Sequence, residues 1–272
     1  MRFGICCHPS SLGASAATFS EDVATLKNAG VAYLEFPVAA IAAEEDFLCL
    51  QSRLRGAALK VEAFNGFLPA QQRITGPDVN LQSVLSFCRL VLPRCKALGA
   101  EVVVLGSSGA RKVPAGFDFQ KAENQFMEFC CELAPVAAET DIVICIEPLN
   151  SREDNLILSV ARGAEIVDEV GHPNIQLLAD FYHMMEENEP LENVVNANGR
   201  LRHTHLADVG RVAPGFAVEG EADFAGFFRA LHAAGYGGST LFARCSFEGS
   251  FEDMMAQTPH LVAFLEKRCA QV

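Results

Sequence analysis

Short runs of apolar residues alternate along the chain with longer stretches in which apolar positions recur every three or four residues. The short runs cover residues 2–7, 32–37, 60–64, 101–105, 142–147, 175–180, 201–206 and 240–245. They are rich in Val, Ile, Leu and Phe with few alternating polar positions, the pattern of strands in a parallel sheet covered on both faces. The longer stretches, among them 19–29, 79–98, 118–139, 160–170 and 223–234, carry helical spacing. Ser20 ahead of Glu21-Asp22, and Asp78 ahead of its stretch, are candidate N-caps. Gly30, Gly99, Gly171 and Gly235 are candidate C-terminal stops. Eight strand–helix units of about 34 residues each match the size of a (β/α)8 TIM barrel, a single α/β domain over residues 1–272. A doubly wound open sheet is the competing arrangement. No Gly-x-Gly-x-x-Gly turn follows the first run, which weakens it.

Sites in such barrels lie at the C-terminal ends of the strands, so the residues that close the runs carry the chemistry. Four segments in the second half stand out: Asp141-Ile-Val-Ile-Cys-Ile-Glu147-Pro-Leu-Asn150, Ile175-Gln-Leu-Leu-Ala-Asp180-Phe-Tyr-His183, Leu201-Arg-His-Thr-His205-Leu-Ala-Asp208 and Ser239-Thr-Leu-Phe-Ala-Arg244-Cys-Ser-Phe. Glu147, Asp180 and His205 form a hard-oxygen-plus-imidazole set that suits Mn, Mg, Co or Zn. A carboxylate closing an apolar run needs a partner, because an unpaired buried charge is expensive. The bland reading of Glu147 is therefore a salt bridge to a barrel arginine. His183 alone reads as a core histidine under a loop, and its company with Asp180 and Glu147 turns it toward function. Asp208 is expected to turn the loop after its strand, with a secondary role in holding a histidine ring. Arg244 stands where a fourth ligand is expected, and a fixed cation there repels a divalent ion.

Composition narrows the field. The net charge of −13 disfavours a nucleic-acid backbone as partner. No apolar run approaches the roughly 20 residues of a membrane span, and the first residues are too short in their apolar part for a signal peptide. The ten cysteines include no Cys-x-x-Cys pair and lie mostly in apolar segments, which fits a reduced, cytoplasmic compartment.

Taken together, the stretches Glu147-Pro-Leu-Asn-Ser-Arg-Glu153-Asp-Asn, Leu178-Ala-Asp180-Phe-Tyr-His183-Met, His203-Thr-His205-Leu-Ala-Asp208 and Gly210-Arg211-Val-Ala-Pro-Gly215 are specific. By them the chain resembles the xylose isomerase-like barrel superfamily of sugar isomerases and epimerases, near the ketose 3-epimerases. Asn65-Gly-Phe-Leu-Pro69 and Gly106-Ser-Ser-Gly-Ala-Arg111 also look like strand-end loops of that group. The resemblance implies that Glu147, Asp180 and His205 bind a divalent metal, with Glu147 also catalytic. It further implies that Glu153, His183, Arg211 and Asn65 bind substrate. Members carry a glutamate near the end of the last strand, in a pattern like Ser-Ile-Glu-Cys. Here Phe242-Ala243-Arg244-Cys245 is read in its place.

The expectation is a sugar isomerase or epimerase-like protein acting on a small sugar, polyol or sugar acid, with the second acid/base group replaced by Arg244. Epimerisation needs an acid and a base on opposite faces of the carbon, so this replacement strikes it hardest. Single-base isomerisation by Glu147 is less affected, and Arg244 would suit a substrate carboxylate or phosphate. Glu248 reaching in while Arg244 swings aside is the competing arrangement. The alternative function is a metal-free barrel retaining sugar binding or a scaffold role. A homo-oligomer is compatible with either.

Overall fold

Eight parallel strands close into a barrel in strict chain order, in a computed structural model that describes residues 1–218, 220, 222–237 and 243–272. They are β1 (Arg2–Cys6), β2 (Tyr33–Pro37), β3 (Val61–Asn65), β4 (Val102–Leu105), β5 (Val143–Ile146), β6 (Ile175–Asp180), β7 (Leu201–Leu206) and β8 (Arg244–Phe247). The parallel ladder needs crossovers, and the helical stretches supply them on the outside. The larger helices are α1 (Ala16–Asn28), α2 (Glu44–Arg53), α3 (Leu81–Leu98), α5 (Phe119–Glu139), α6 (Val160–Val170), α9 (Phe224–Ala233) and α10 (Met254–Cys269). Three short ones, α4 (Ser108–Arg111), α7 (Phe181–Glu186) and α8 (Glu192–Asn196), follow strand ends or fill a connection. The open-sheet alternative is excluded by the β1–β8 pairing that closes the ring.

Boundaries moved where side chains could cap. α1 starts earlier than its apolar spacing, because Ser15, not Ser20, accepts the Thr18 amide in a capping box. α3 is capped by Asn80, whose side chain accepts from the Ser83 amide, rather than by Asp78. Gly99 and Gly171 do end α3 and α6 in the left-handed conformation.

The largest correction concerns the last strand. The apolar pattern places the eighth strand at 240–245; among the described residues β8 runs from Arg244 to Phe247, and residues 240–242 lie outside the described ones. Arg244 is paired in register with Arg2, the first residue of β1. Both are N-terminal ends, so Arg244 lies at the floor of the barrel, opposite the mouth.

Two apolar bodies hold the fold. The main core lies between strands and helices and takes the outward residues of β8, Cys245 and Phe247. A small second cluster, Ala63, Val102, Val104, Cys145 and Leu178, forms inside the ring. The rest of the interior is polar. Arg244, Ser246 and Glu248 alternate with Cys245 and Phe247, so they share the inner face of one strand at three heights.

Candidate active site

At the mouth, Glu147 follows β5, Asp180 ends β6, His205 lies near the end of β7, and Glu248 follows β8. The strand ladder fixes their heights. Asp180 is in register with His205, and the Glu248 amide still donates to the Leu206 carbonyl at 2.9 Å. His205 Nδ1 lies 2.9 Å from Glu147 Oε1 and 3.9 Å from Asp180 Oδ2. Potential ligand atoms of Asp180, His205 and Glu248 lie within 4.8 Å of one another, as do those of Glu147, Asp180 and His183. The two groups share Asp180. Gly106, at the end of β4, leaves the space that Glu147 uses, since a Cβ there would overlap Glu147 Oε2.

The two ends of Asp180 have different tasks. Its Oδ1 accepts from the amides of Tyr182 at 2.8 Å and His183 at 3.2 Å, which caps α7. Its Oδ2 is buried and has no hydrogen-bond partner among the described residues, and neither does His183 Nε2. The two atoms lie 3.6 Å apart, beyond hydrogen-bond distance, and a bound ion or substrate oxygen beside them would complete both. Their tasks differ because the His183 ring is oriented from behind. Its Nδ1 faces the Asn150 amide at 3.2 Å and Asn150 Nδ2 at 2.8 Å. Two donors at Nδ1 make it an acceptor, so the ring proton sits on Nε2. His183 thus offers a donor to the site.

Hard oxygens from Glu147, Asp180 and Glu248 with one imidazole fit a divalent ion of the Mn, Mg, Co or Zn type. His205 Nε2 lies 2.9 Å from Glu35 Oε1, leaving Nδ1 as the nitrogen aimed at the carboxylates. Burial would lower the His205 pKa, but Glu35, Cys6 and Glu147 outweigh it and raise it well above the usual value. Without an ion, an imidazolium proton bridges Nδ1 to Glu147 and occupies the space where a cation belongs. Burial would push the Glu147 carboxyl up; the charge of His205, its hydrogen bond, and His183 and Arg111 beyond it hold it down. Glu248 goes the other way. Burial, then the charge of Asp180, pushes it up to about 7.

Arg211 closes the mouth from the loop after β7. Its guanidinium donates to Glu248 Oε1 at 3.1 Å and Glu153 Oε1 at 2.9 Å, and lies 5.2 Å from the centre of the Tyr182 ring. Arg211 itself has φ 57, and Gly210 before it φ 75. Two successive left-handed residues re-aim the side chain inward. Asp208 organises this loop, accepting from the amides of Val209, Ala222 and Gly215. Asn65 ends β3 at the same rim, half-buried.

Of the residues singled out in the sequence, Glu147, Asp180, His183, His205, Glu153 and Arg211 come together, and Arg244 does not. Arg244 is 2% exposed at the floor, where Nε donates to Glu62 Oε2 at 2.7 Å and NH2 to Glu101 Oε2 at 2.5 Å. Arg2 holds the other side of Glu62 at 2.7 and 2.5 Å. The expected loss of the fourth ligand, and with it the carboxylate- or phosphate-binding role of Arg244, is therefore withdrawn. Glu248 stands at that position, and it does so without Arg244 having to swing aside. Ser246-Phe247-Glu248-Gly249 is the stretch that answers to the family pattern. Glu35 and Asn150 were missed. A lone charge inside the apolar run Tyr33-Leu34-Glu35-Phe36 was the available signal for Glu35.

Comparison with known proteins agrees with the barrel fold. Among curated relatives, a 3-dehydro-D-guloside 4-epimerase of Escherichia coli (strain K12) is 35% identical over 111 residues, 40% of this chain and 41% of the relative. An L-ribulose 3-epimerase of Methylomonas sp. (strain DH-1) is 38% identical over 117 residues, 43% of this chain and 40% of the relative. The matched stretch thus spans about two fifths of either relative's length. A solved D-psicose 3-epimerase with D-tagatose, from Clostridium cellulolyticum H10, superimposes with a TM-score of 0.81 at 19% identity over 99% of each chain. At that identity the likeness is one of fold. The model of the family described as "Xylose isomerase-like TIM barrel" matches residues 23–267, nearly the whole chain, and the protein belongs to that family.

Proposed function

We propose that this protein is a sugar isomerase of the epimerising kind, moving a proton at the carbon next to a carbonyl of a small ketose or keto-sugar. The observation that carries the reading is the pair of carboxylates, Glu147 from β5 and Glu248 from β8, that flank Asp180 and His205. Inversion of a carbon needs one group to take the proton and another to return it from the opposite side. Arg244 lies at the floor and does not take the place of the second group, whose Oε1 is held at the mouth by Arg211. The case for a metal-free scaffold rested on that cation and loses its footing.

Bound by Glu147, Asp180, His205 and Glu248, a divalent ion would supply Lewis-acid polarisation of the carbonyl. The protein's own groups divide the remaining work. Glu147, held ionised, takes the proton. Glu248, pushed up to about 7, can carry a proton near neutrality and give it back. The assignment reverses for the reverse reaction. His183 donates from Nε2 to the carbonyl or a neighbouring hydroxyl. Glu153 and Arg211, already joined across the mouth, bind further hydroxyls and exclude water. The similarity to ribulose, psicose and guloside epimerases supports a ketose or keto-glycoside as the substrate class.

The test is incubation with ketopentoses, ketohexoses and 3-keto-glycosides in deuterium oxide with Mn, Co or Mg. The expected result is an epimer carrying deuterium at the inverted carbon. Absence of deuterium exchange on every substrate and with every metal overturns the proposal.

A further inference from the structure

One buried carboxylate outside the ligand set is surrounded on every side by donors. Glu35, in the middle of β2, is fully buried. Its Oε1 lies 2.9 Å from His205 Nε2, and its Oε2 lies 2.8 Å from His203 Nε2 and 2.6 Å from Ser246 Oγ. Ser246 in turn accepts from Tyr33 OH at 2.9 Å. The four elements are far apart in sequence and meet only because the barrel closes. Gly4 on β1 makes the room, since a Cβ there would overlap the Tyr33 ring.

We propose that Glu35 is a positioning residue that locks His205 in the tautomer and orientation presenting Nδ1 to the mouth. This rests on the metal-site reading above. A carboxylate only accepts, so all three of its neighbours must donate. His205 then always carries a proton on Nε2, and when an ion displaces the second proton the Nδ1 lone pair is the one that faces the site. Turning the ring by half a turn would put Cε1 where Nε2 stands and Cδ2 where Nδ1 stands, so the buried carboxylate would face a carbon and lose its donor. A carboxylate behind a ligating imidazole also raises its basicity, which strengthens the ligand. His203 and Ser246 hold the second oxygen, so the carboxylate cannot rotate away from His205. Glu35 never touches the ion or the substrate. It acts through the ring.

Glutamine at this position offers a single acceptor oxygen to three donors, and its NH2 would face a ring N–H. Glu35→Gln should therefore weaken Mn binding about 10- to 100-fold by calorimetry, with the circular dichroism of the folded barrel retained. Glu35→Asp keeps the charge and should recover part of that loss. The wild-type protein carries a test that needs no variant. In histidine ring ¹⁵N spectra, with and without Mg, His205 should show a protonated Nε2 whose proton exchanges slowly with water. In Glu35→Gln that proton should exchange quickly.

A wild-type His205 with its proton confined to Nδ1 would overturn the proposal. So would a folded Glu35→Gln protein that binds Mn within about twofold of wild type and keeps the slow proton. If the wild type binds no divalent ion at all, the proposed function fails, while the ring spectra of the metal-free protein still decide the role of Glu35.

Discussion

The two ends of the barrel use the same side-chain types to opposite purposes. At the floor, Arg2 and Arg244 alternate with Glu62 and Glu101, and both glutamates have a guanidinium at hydrogen-bond distance. A cavity of about 520 Å³ opens there, lined by these residues with Lys96, Asp141 and Arg202. At the mouth, Glu147, Asp180 and Glu248 share one imidazole and the edge of one guanidinium. At the floor each carboxylate is matched by a cation. The mouth carries an excess of negative charge that only a bound cation or transferred protons can relieve. Open space is thus a poor guide to chemistry in this molecule, and unbalanced charge a better one. The floor should answer to mutation as a structural region, the mouth as a site.

The largest effect should come from Glu147→Gln. Removing an acid/base group costs about a hundred- to ten-thousand-fold in turnover, while the amide keeps the shape of the mouth. Epimerisation at wild-type rate in this variant would remove Glu147 from the mechanism.

At the floor, Arg244→Ala should cost stability and spare the site. The substitution leaves the largely buried Glu62 to Arg2 alone and takes this guanidinium from the half-exposed Glu101, a loss of about 1–2 kcal/mol. Urea unfolding should report it, with Mn affinity unchanged. A large fall in Mn affinity without loss of stability would reverse the roles assigned to the two ends.

Glu248 sharpens the comparison through pH. Its carboxyl is raised in the folded protein to about 7 from the ordinary 4.5, so folding favours its protonated form. The stability it contributes is full below pH 4.5 and is lost as pH rises through about 7. Melting of the metal-free protein should therefore fall across that window. Glu248→Gln should flatten the fall and raise the melting temperature at pH 7.5, while weakening Mn binding. The floor carboxylate Glu62 is shifted downward: burial pushes it up, but Arg2 and Arg244 outweigh that. Its contribution is present above 4.5 and is lost only as pH falls below that value.

The smallest effect belongs to Lys96→Ala at the rim of the floor cavity. Its partner Asp141 is 95% exposed, and a surface pair of this kind is worth less than about 0.5 kcal/mol. A larger loss in urea unfolding would mean that the floor is less screened than its exposure implies.

The barrel and most of the site were legible in the chain because they rest on local signals. Apolar runs closed by Glu147 and Asp180, and capping glycines such as Gly99 and Gly171, are visible within ten residues of themselves. β8 was misread for a physical reason. Continuous apolar character marks most strands of this barrel, yet β8 with the residue after it reads Arg-Cys-Ser-Phe-Glu, strictly alternating, because this side of the barrel interior is polar. An alternating reading would have put Glu248 at the mouth and Arg244 at the opposite end. The lone charge of Glu35 shows in its apolar run but its role does not, because its partners His203 and His205 are 168 and 170 residues away. Nothing local distinguishes a carboxylate that orients a ring from one that is merely tolerated.

The inner face of β8 also acts as a ruler for assembly. A one-residue slip of a strand is resisted by hydrophobicity, because it turns every apolar side chain to the wrong face. A slip of two residues preserves facing, and Cys245 and Phe247 would still meet the outer layer. The polar steps forbid it. Displaced by two, Arg244 would be level with the buried Glu35–His203 pair, Ser246 would be level with the ligands, and Glu62 would lose one of its guanidiniums. The last strand to join the ring therefore has its height set by charge, and the residues that stop the barrel closing out of step are the same column that delivers Glu248 to the mouth.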